Sequence, residues 1–215
     1  MHQNTEATLN EMKRSRLRTD LKRIETEHYQ IREGERYEDF IALMLEYIGD
    51  PDPDLRDGLV YPTFYMWIHK QQLFTAGELY SMLEVLTDEH HLFHGIGRSA
   101  DSSVFTRTFT VLVIGLIAQR HKERPFLTPA GFRLLKQSLL RYYREEQDLR
   151  GYLEEGGWAH AAAHGADALD ELVQCPESGE EVQVEVLEGI QRMLLNVATS
   201  SLKKRMSGLR PFWIQ

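Results

Sequence analysis

His160, His164, Asp167 and Glu171 are spaced i, i+4, i+7 and i+11, which on a helix lines all four along one face. Two imidazoles one turn apart can ligate a transition metal, and a carboxylate one turn further on can supply a third ligand or orient a histidine from outside the metal's shell. The metal set is therefore His160, His164 and Asp167, and zinc, manganese or iron is the ion it would take. No glutamate follows His160, so this is not the His-Glu-x-x-His arrangement with a built-in general base. Glu145 or Asp148 would have to activate a metal-bound water if the chain were a metal-dependent hydrolase. Ala161, Ala162, Ala163, Gly165 and Ala166 lie between the polar residues, and side chains this small let another helix or a ligand approach closely. Three readings stay open: a polar seam bonded to neighbouring helices, a metal site, and a metal-free ligand or partner site.

Asp148, Arg150, Tyr152 and Trp158 precede this face. A carboxylate, a guanidinium and a phenol near two histidines can hold a polar or anionic ligand. The competing reading is an Asp–Arg ladder, with Tyr152 and Trp158 as packing anchors. Arg107 lies inside the apolar run Val104–Leu116, and a buried arginine needs a partner, so an acidic residue of an adjacent helix is expected beside it. An inward ligand contact is its alternative role. His90, His91 and His94 stand beside glycines and read as an exposed loop. Cys175 has no base beside it to make a reactive thiolate.

The elements that must position these residues are helices. Asp52-Pro53 and Thr128-Pro129 each place an N-cap residue before a proline at the first helical position. Thr75 with Glu78, and Ser178 with Glu181, read as capping boxes. Apolar residues recur at helical spacing between these marks, which predicts helices near 8–31, 36–49, 53–70, 76–88, 102–121, 128–148, 157–174 and 180–207. The helix at 102–121 is apolar on most sides and should be central. Segments 89–101 and 149–157 are the expected loops, and no alternating strand pattern is present. The fold class is all-α, in one domain over 1–215. Asp54-Leu55-Arg56-Asp57, Arg98-Ser99-Ala100-Asp101 and Asp148-Leu149-Arg150-Gly151 recur at roughly 45 residues, within the range of HEAT or armadillo hairpins. The expected architecture is a HEAT/armadillo-like right-handed α-solenoid, with a compact helical bundle as the alternative.

Composition narrows the class. The chain has 215 residues, of which 25 are basic and 33 acidic, for a net charge of −8. That acidity disfavours nucleic acid as a partner despite the basic segments at 13–23 and Lys203-Lys204-Arg205. One cysteine cannot form an internal disulfide, which points to a reducing compartment. The longest apolar run, Val111–Ala118, is far short of the roughly 20 residues of a membrane helix, and the first residues hold no signal-peptide core. The expectation is a soluble cytoplasmic protein.

The run Arg150-Gly151-Tyr152, Gly157-Trp158-Ala159-His160 and Ala163-His164-Gly165-Ala166-Asp167 resembles the bacterial domain-of-unknown-function family 2785. Asp54-Leu55-Arg56-Asp57, Tyr61, Trp67-Ile68 and Ser103-Val104-Phe105 with Arg107 extend the likeness upstream, so that it spans roughly residues 8–175. The resemblance implies a bacterial source and a helical protein without an established activity, and it supplies no catalytic residues. The C-terminal helix and tail at 176–215 lie outside it, and the end Arg210–Gln215 is a candidate for docking on the body or for association. The functional expectation is a helical scaffold that binds a ligand or protein at residues 148–171; the alternative is the metal-dependent hydrolase.

Overall fold

Ser103–Glu123 (α6), which holds the longest uninterrupted apolar run of the chain, is a helix with buried residues on every side, and the other elements assemble around it. The protein is described from a computed structural model covering residues 2–208, with side-chain surroundings for residues 5–196. The elements before α6 are α1 (His2–Thr26), α2 (Tyr37–Glu46), a helical rod over 53–70, and α5 (Ala76–Leu86). After it come α7 (Pro129–Glu145), a short hairpin of β1 (Tyr152–Leu153) and β2 (Gly157–Trp158), α8 (Ala161–Val173) and α9 (Glu180–Gly208). The described residues are mostly helical, as the periodicity requires, but the segment expected as a plain loop at 149–157 contains the hairpin. The tail Arg210–Gln215 lies outside the described residues.

The start signals act as the chemistry predicts. Asp52 accepts a bond from the Asp54 amide at 2.9 Å, with Pro53 at the first helical position. Thr75 and Glu78 close a reciprocal capping box, and Thr128 accepts from the Gly131 amide at 3.2 Å ahead of Pro129. Ser178 departs from expectation: its hydroxyl donates to the Leu172 carbonyl at 2.6 Å and closes the end of α8.

The rod over 53–70 is irregular for a local reason. It consists of α3 (Pro53–Leu55), a widened π turn (Arg56–Val60), α4 (Tyr61–Tyr65) and a second π turn (Met66–Lys70). Pro62 has no amide proton to continue the ordinary ladder. The Tyr61 amide bonds Arg56 and the Gln71 amide bonds Met66, five residues back in each case. The first helix stops at Thr26, short of the expected residue 31, because His28 and Tyr29 take left-handed backbone angles of 56° and 61°. That reversal presents the Tyr29 carbonyl to the indole N–H of the fully buried Trp67 at 2.8 Å.

Helix α6 packs most extensively on α8, and also touches α4, α5, α7 and the second π turn. Elsewhere α1 meets α2 and the first π turn, α7 meets α8 and α9, and α8 meets α9. The main core runs through all of these elements. A second, small core of Val104, Phe105, Ala159 and Ala161, with Leu153 against it, lies beneath the hairpin.

Candidate functional site

The hairpin is held by groups that come from far away in the chain. Tyr152 pairs with Trp158 and Leu153 with Gly157 in antiparallel register. Leu153 therefore turns inward to the small core while the Tyr152–Trp158 pair turns outward. Gly156 is required by contact: a Cβ there would lie 2.4 Å from the Phe105 ring. Its carbonyl accepts from Arg56 Nη2 at 2.7 Å, across 100 residues of sequence. Arg56 is fully buried. Its guanidinium carbon lies 4.1 Å from the Phe105 ring centre and 4.7 Å from that of Phe109. The other polar contacts of Arg56 are the Asp50 carbonyl at 2.7 Å and the Asp57 carboxylate at 2.9 Å.

This frame displays an aromatic and histidine face. The rings of Trp158 and His160 are stacked, 4.2 Å apart and within 6° of parallel. Tyr152 meets Trp158 edge-on at 5.1 Å, and His164 meets His160 edge-on at 5.6 Å. Tyr152 is 61% exposed and Trp158 50%. Below them, His164 Nδ1 lies 3.4 Å from the Asp167 carboxylate and its ring meets Phe109 edge-on. Burial pulls the His164 pKa below the ordinary histidine value, with Asp167 opposing in part. Burial also raises the Asp57 carboxyl pKa against the pull of Arg56, and the charges of His164 and His160 act on Asp57 as well. Asp57, the ion-pair partner of Arg56, is thereby coupled electrostatically to the two histidines, although nothing in the local sequence around residue 160 indicates it.

The expectation of one continuous helical face is corrected at its first residue. Helix α8 begins at Ala161, and His160 is its N-cap in a left-handed conformation with φ 52°. That angle carries the imidazole up beside Trp158, while His164 and Asp167 stay on the helix. The small residues of α8 serve packing: Gly165 admits the rings of Tyr142 and Tyr143, and Ala168 closes on Gly115. Among the described residues, no three His, Cys, Asp or Glu side chains form a group that could hold a metal ion.

The structure engages Asp148 and Arg150 with each other and with residues 100 and 101. Arg150 binds both oxygens of the buried Asp148 and donates to the Asp101 carbonyl at 2.6 Å, while Asp148 also accepts from the Ala100 amide at 3.1 Å. They form the Asp–Arg ladder that links the second and third of the recurring stations. Glu145, the other base considered, pairs with Arg141 at 3.1 Å. Arg107 finds the acidic partner expected of it: Nε and Nη2 bind Glu146 at 2.7 and 3.0 Å, both side chains being fully buried. Nη1 is spent on the carbonyls of His94 and Gly95 and on Ser103, so Arg107 has no face toward a ligand. His91 bonds Asp88 at 2.8 Å, and burial pushes the Cys175 thiol up to about 12.

Together these features describe a mostly helical protein in which two exposed aromatics stand beside two half-buried histidines. The chain belongs to the family described as Protein of unknown function (DUF2785), whose model matches residues 92–205. The match includes the hairpin and α8 and reaches further toward the C-terminus than the likeness read from the motifs, while leaving out the first 91 residues. No curated protein and no solved structure matches the chain. Among the described residues, no helix is long and apolar enough to cross a membrane.

Proposed function

We propose that this bacterial chain is a single-domain cytoplasmic scaffold of HEAT-like stacked helical hairpins, and that it binds a ligand or protein through Tyr152, Trp158, His160 and His164. The pattern of packing supports the stacked arrangement: α6 touches α4 and α8, α7 touches α9, and each also meets its neighbour in sequence. A lone, buried cysteine suits a reducing compartment. Asp148, Arg150 and Arg107 support the site from beneath rather than contact the ligand.

One observation carries the reading. Two large aromatic side chains are more than half or half exposed, yet are locked by a buried arginine, a glycine–phenyl contact and ring stacking. A half-exposed indole held in one place by its neighbours has less ordering entropy to lose on binding. The test is a thermal-shift screen of small molecules and peptides on the wild-type chain and on Tyr152→Ala/Trp158→Ala. Ligands of this face stabilise the wild type and leave the variant unmoved; ligands that stabilise both alike overturn the proposal. The hydrolase alternative rests on the proximity of the His160 and His164 rings and on Asp167. It predicts stoichiometric zinc, manganese or iron that is lost in His160→Ala and His164→Ala, and its absence from metal-loaded protein overturns it.

A further inference from the structure

The charges around the aromatic pair indicate what chemistry would cover it. Residues 148–171 contain six acidic residues, Asp148, Glu154, Glu155, Asp167, Asp170 and Glu171, against the single cation Arg150. Three of the six are matched internally: Asp148 by Arg150, Glu171 by Lys122 at 2.5 Å, and Asp170 by the Gln174 amide at 2.8 Å. Glu154 and Glu155 form the hairpin turn, exposed, and neither makes an ion pair among the described residues. Asp54 has no ion pair there either, and it follows Pro53, whose ring lies against Gly157 of the hairpin. Asp167 has only His164. The one cation lodged under the hairpin, Arg56, is fully buried and already bonded to Asp57. An exposed indole and phenol thus stand on the two strands joined by a turn whose carboxylates, Glu154 and Glu155, have no ion pair among the described residues.

We infer that the face made by Tyr152, Trp158 and the 154–155 turn docks a basic segment of a protein partner, one that presents lysine or arginine side chains. This rests on the reading of that face as the binding site. A guanidinium or ammonium is attracted to an aromatic face and to a carboxylate at once, and the two attractions add when both flank the same spot. The shape favours a macromolecule over a small cation. A tryptophan at 50% exposure beside a tyrosine at 61% is an open platform, not a cleft that encloses most of a small ligand. Aromatic anchors on an open surface, flanked by charge, are the usual composition of a protein interface.

The experiment is an NMR titration of the full chain with indole N–H groups labelled, the Trp158 signal being assigned by its loss in Trp158→Phe. The probes are an unstructured lysine/arginine peptide and the same peptide with its lysines acetylated and its arginines replaced by citrulline. The basic peptide is expected to shift the Trp158 signal and leave that of the buried Trp67 in place, with the shift weakening as salt rises. Glu154→Gln/Glu155→Gln should weaken binding by about tenfold, and Tyr152→Ala by a similar factor. If the neutral peptide moves Trp158 as strongly, the cationic partner is overturned and the binding face stands. If the basic peptide binds while the Trp158 signal stays still, this docking site is overturned as well.

Discussion

Arg107 and Arg56 are both fully buried guanidiniums reaching out from helices, yet they sit in opposite kinds of surroundings. Arg107 is closed: all three of its nitrogens are bonded, two of them to a Glu146 that is itself fully buried. Arg56 is open on one side. Its carboxylate partner Asp57 is 37% exposed, its Nε has no hydrogen-bond partner among the described residues, and two phenyl rings fill the space around it. A closed pair fastens loop 94–95 and the end of α7 to α6. The open one fastens a solvent-facing hairpin while leaving charge and aromatic surface at the rim. The difference separates the part of the molecule that maintains the fold from the part that can meet another molecule.

The largest effect expected from breaking this contrast is on the closed pair. Glu146→Ala strands a buried cation and should cost about 3–5 kcal/mol in urea unfolding. The matching change Asp57→Ala leaves Arg56 with two carbonyls and two rings, and because Asp57 is itself partly solvated it should cost less, about 1.5–3 kcal/mol. Equal losses would erase the distinction between the two nodes. Gly156→Ala comes next: the new methyl meets Phe105, and the strain should cost about 1–3 kcal/mol while moving the hairpin off its seat. Near-ultraviolet circular dichroism, which reports the Trp158–His160 stack, should change in step.

His164 provides a pH-dependent test. Its pKa is lowered on folding, so the unfolded chain takes up this proton more readily than the folded one. Its contribution is intact above the ordinary value of 6.5 and is lost as pH falls from there through the lower pKa of the folded state. Unfolding free energy measured from pH 7.5 down to about 5 should decline with a slope that His164→Gln reduces. The smallest effect belongs to Trp158→Ala, which should cost about 1 kcal/mol from the lost stack on His160 and the cross-strand pair with Tyr152, the rest of the ring being in solvent. A large loss there would make Trp158 a packing anchor and remove the reason to regard its exposure as functional.

Much of the helical framework was legible from local chemistry. The caps at Asp52, Thr75 and Thr128 operate through hydrogen bonds spanning two or three residues, so neighbouring residues suffice to predict them. Arg107 could be assigned an acidic partner in advance because an arginine in an apolar helix cannot lose its charge. The hairpin was not legible: strands of two residues are too short to show alternation. Nor was the role of Ser178, whose hydroxyl bonds backward to α8 instead of forward to α9. For the candidate site, the residue types at 152–164 were visible in the sequence, but the engagement of Asp148 and Arg150 with residues 100 and 101 was not. The local Asp148–Arg150 bond absorbs part of those two groups, and the Asp101 carbonyl and Ala100 amide, which meet them only after the stations are brought together, absorb the rest.

The sequence by itself determined that this chain forms helices around an apolar one at its centre, that it carries an acidic excess, and that two of its nine histidines stand with Tyr152 and Trp158 between residues 152 and 164. Those properties follow from side-chain type and from spacings within one or two helical turns. Tertiary structure alone decided that Arg56 would grip Gly156, that His160 would leave the helix for a left-handed cap and stack on Trp158, and that Asp57 would be coupled to the two histidines. The first and the last join segments about 100 residues apart, where no periodicity connects the partners and burial selects which polar groups must meet; the stack links near neighbours, but in a backbone turn that no helical spacing announces.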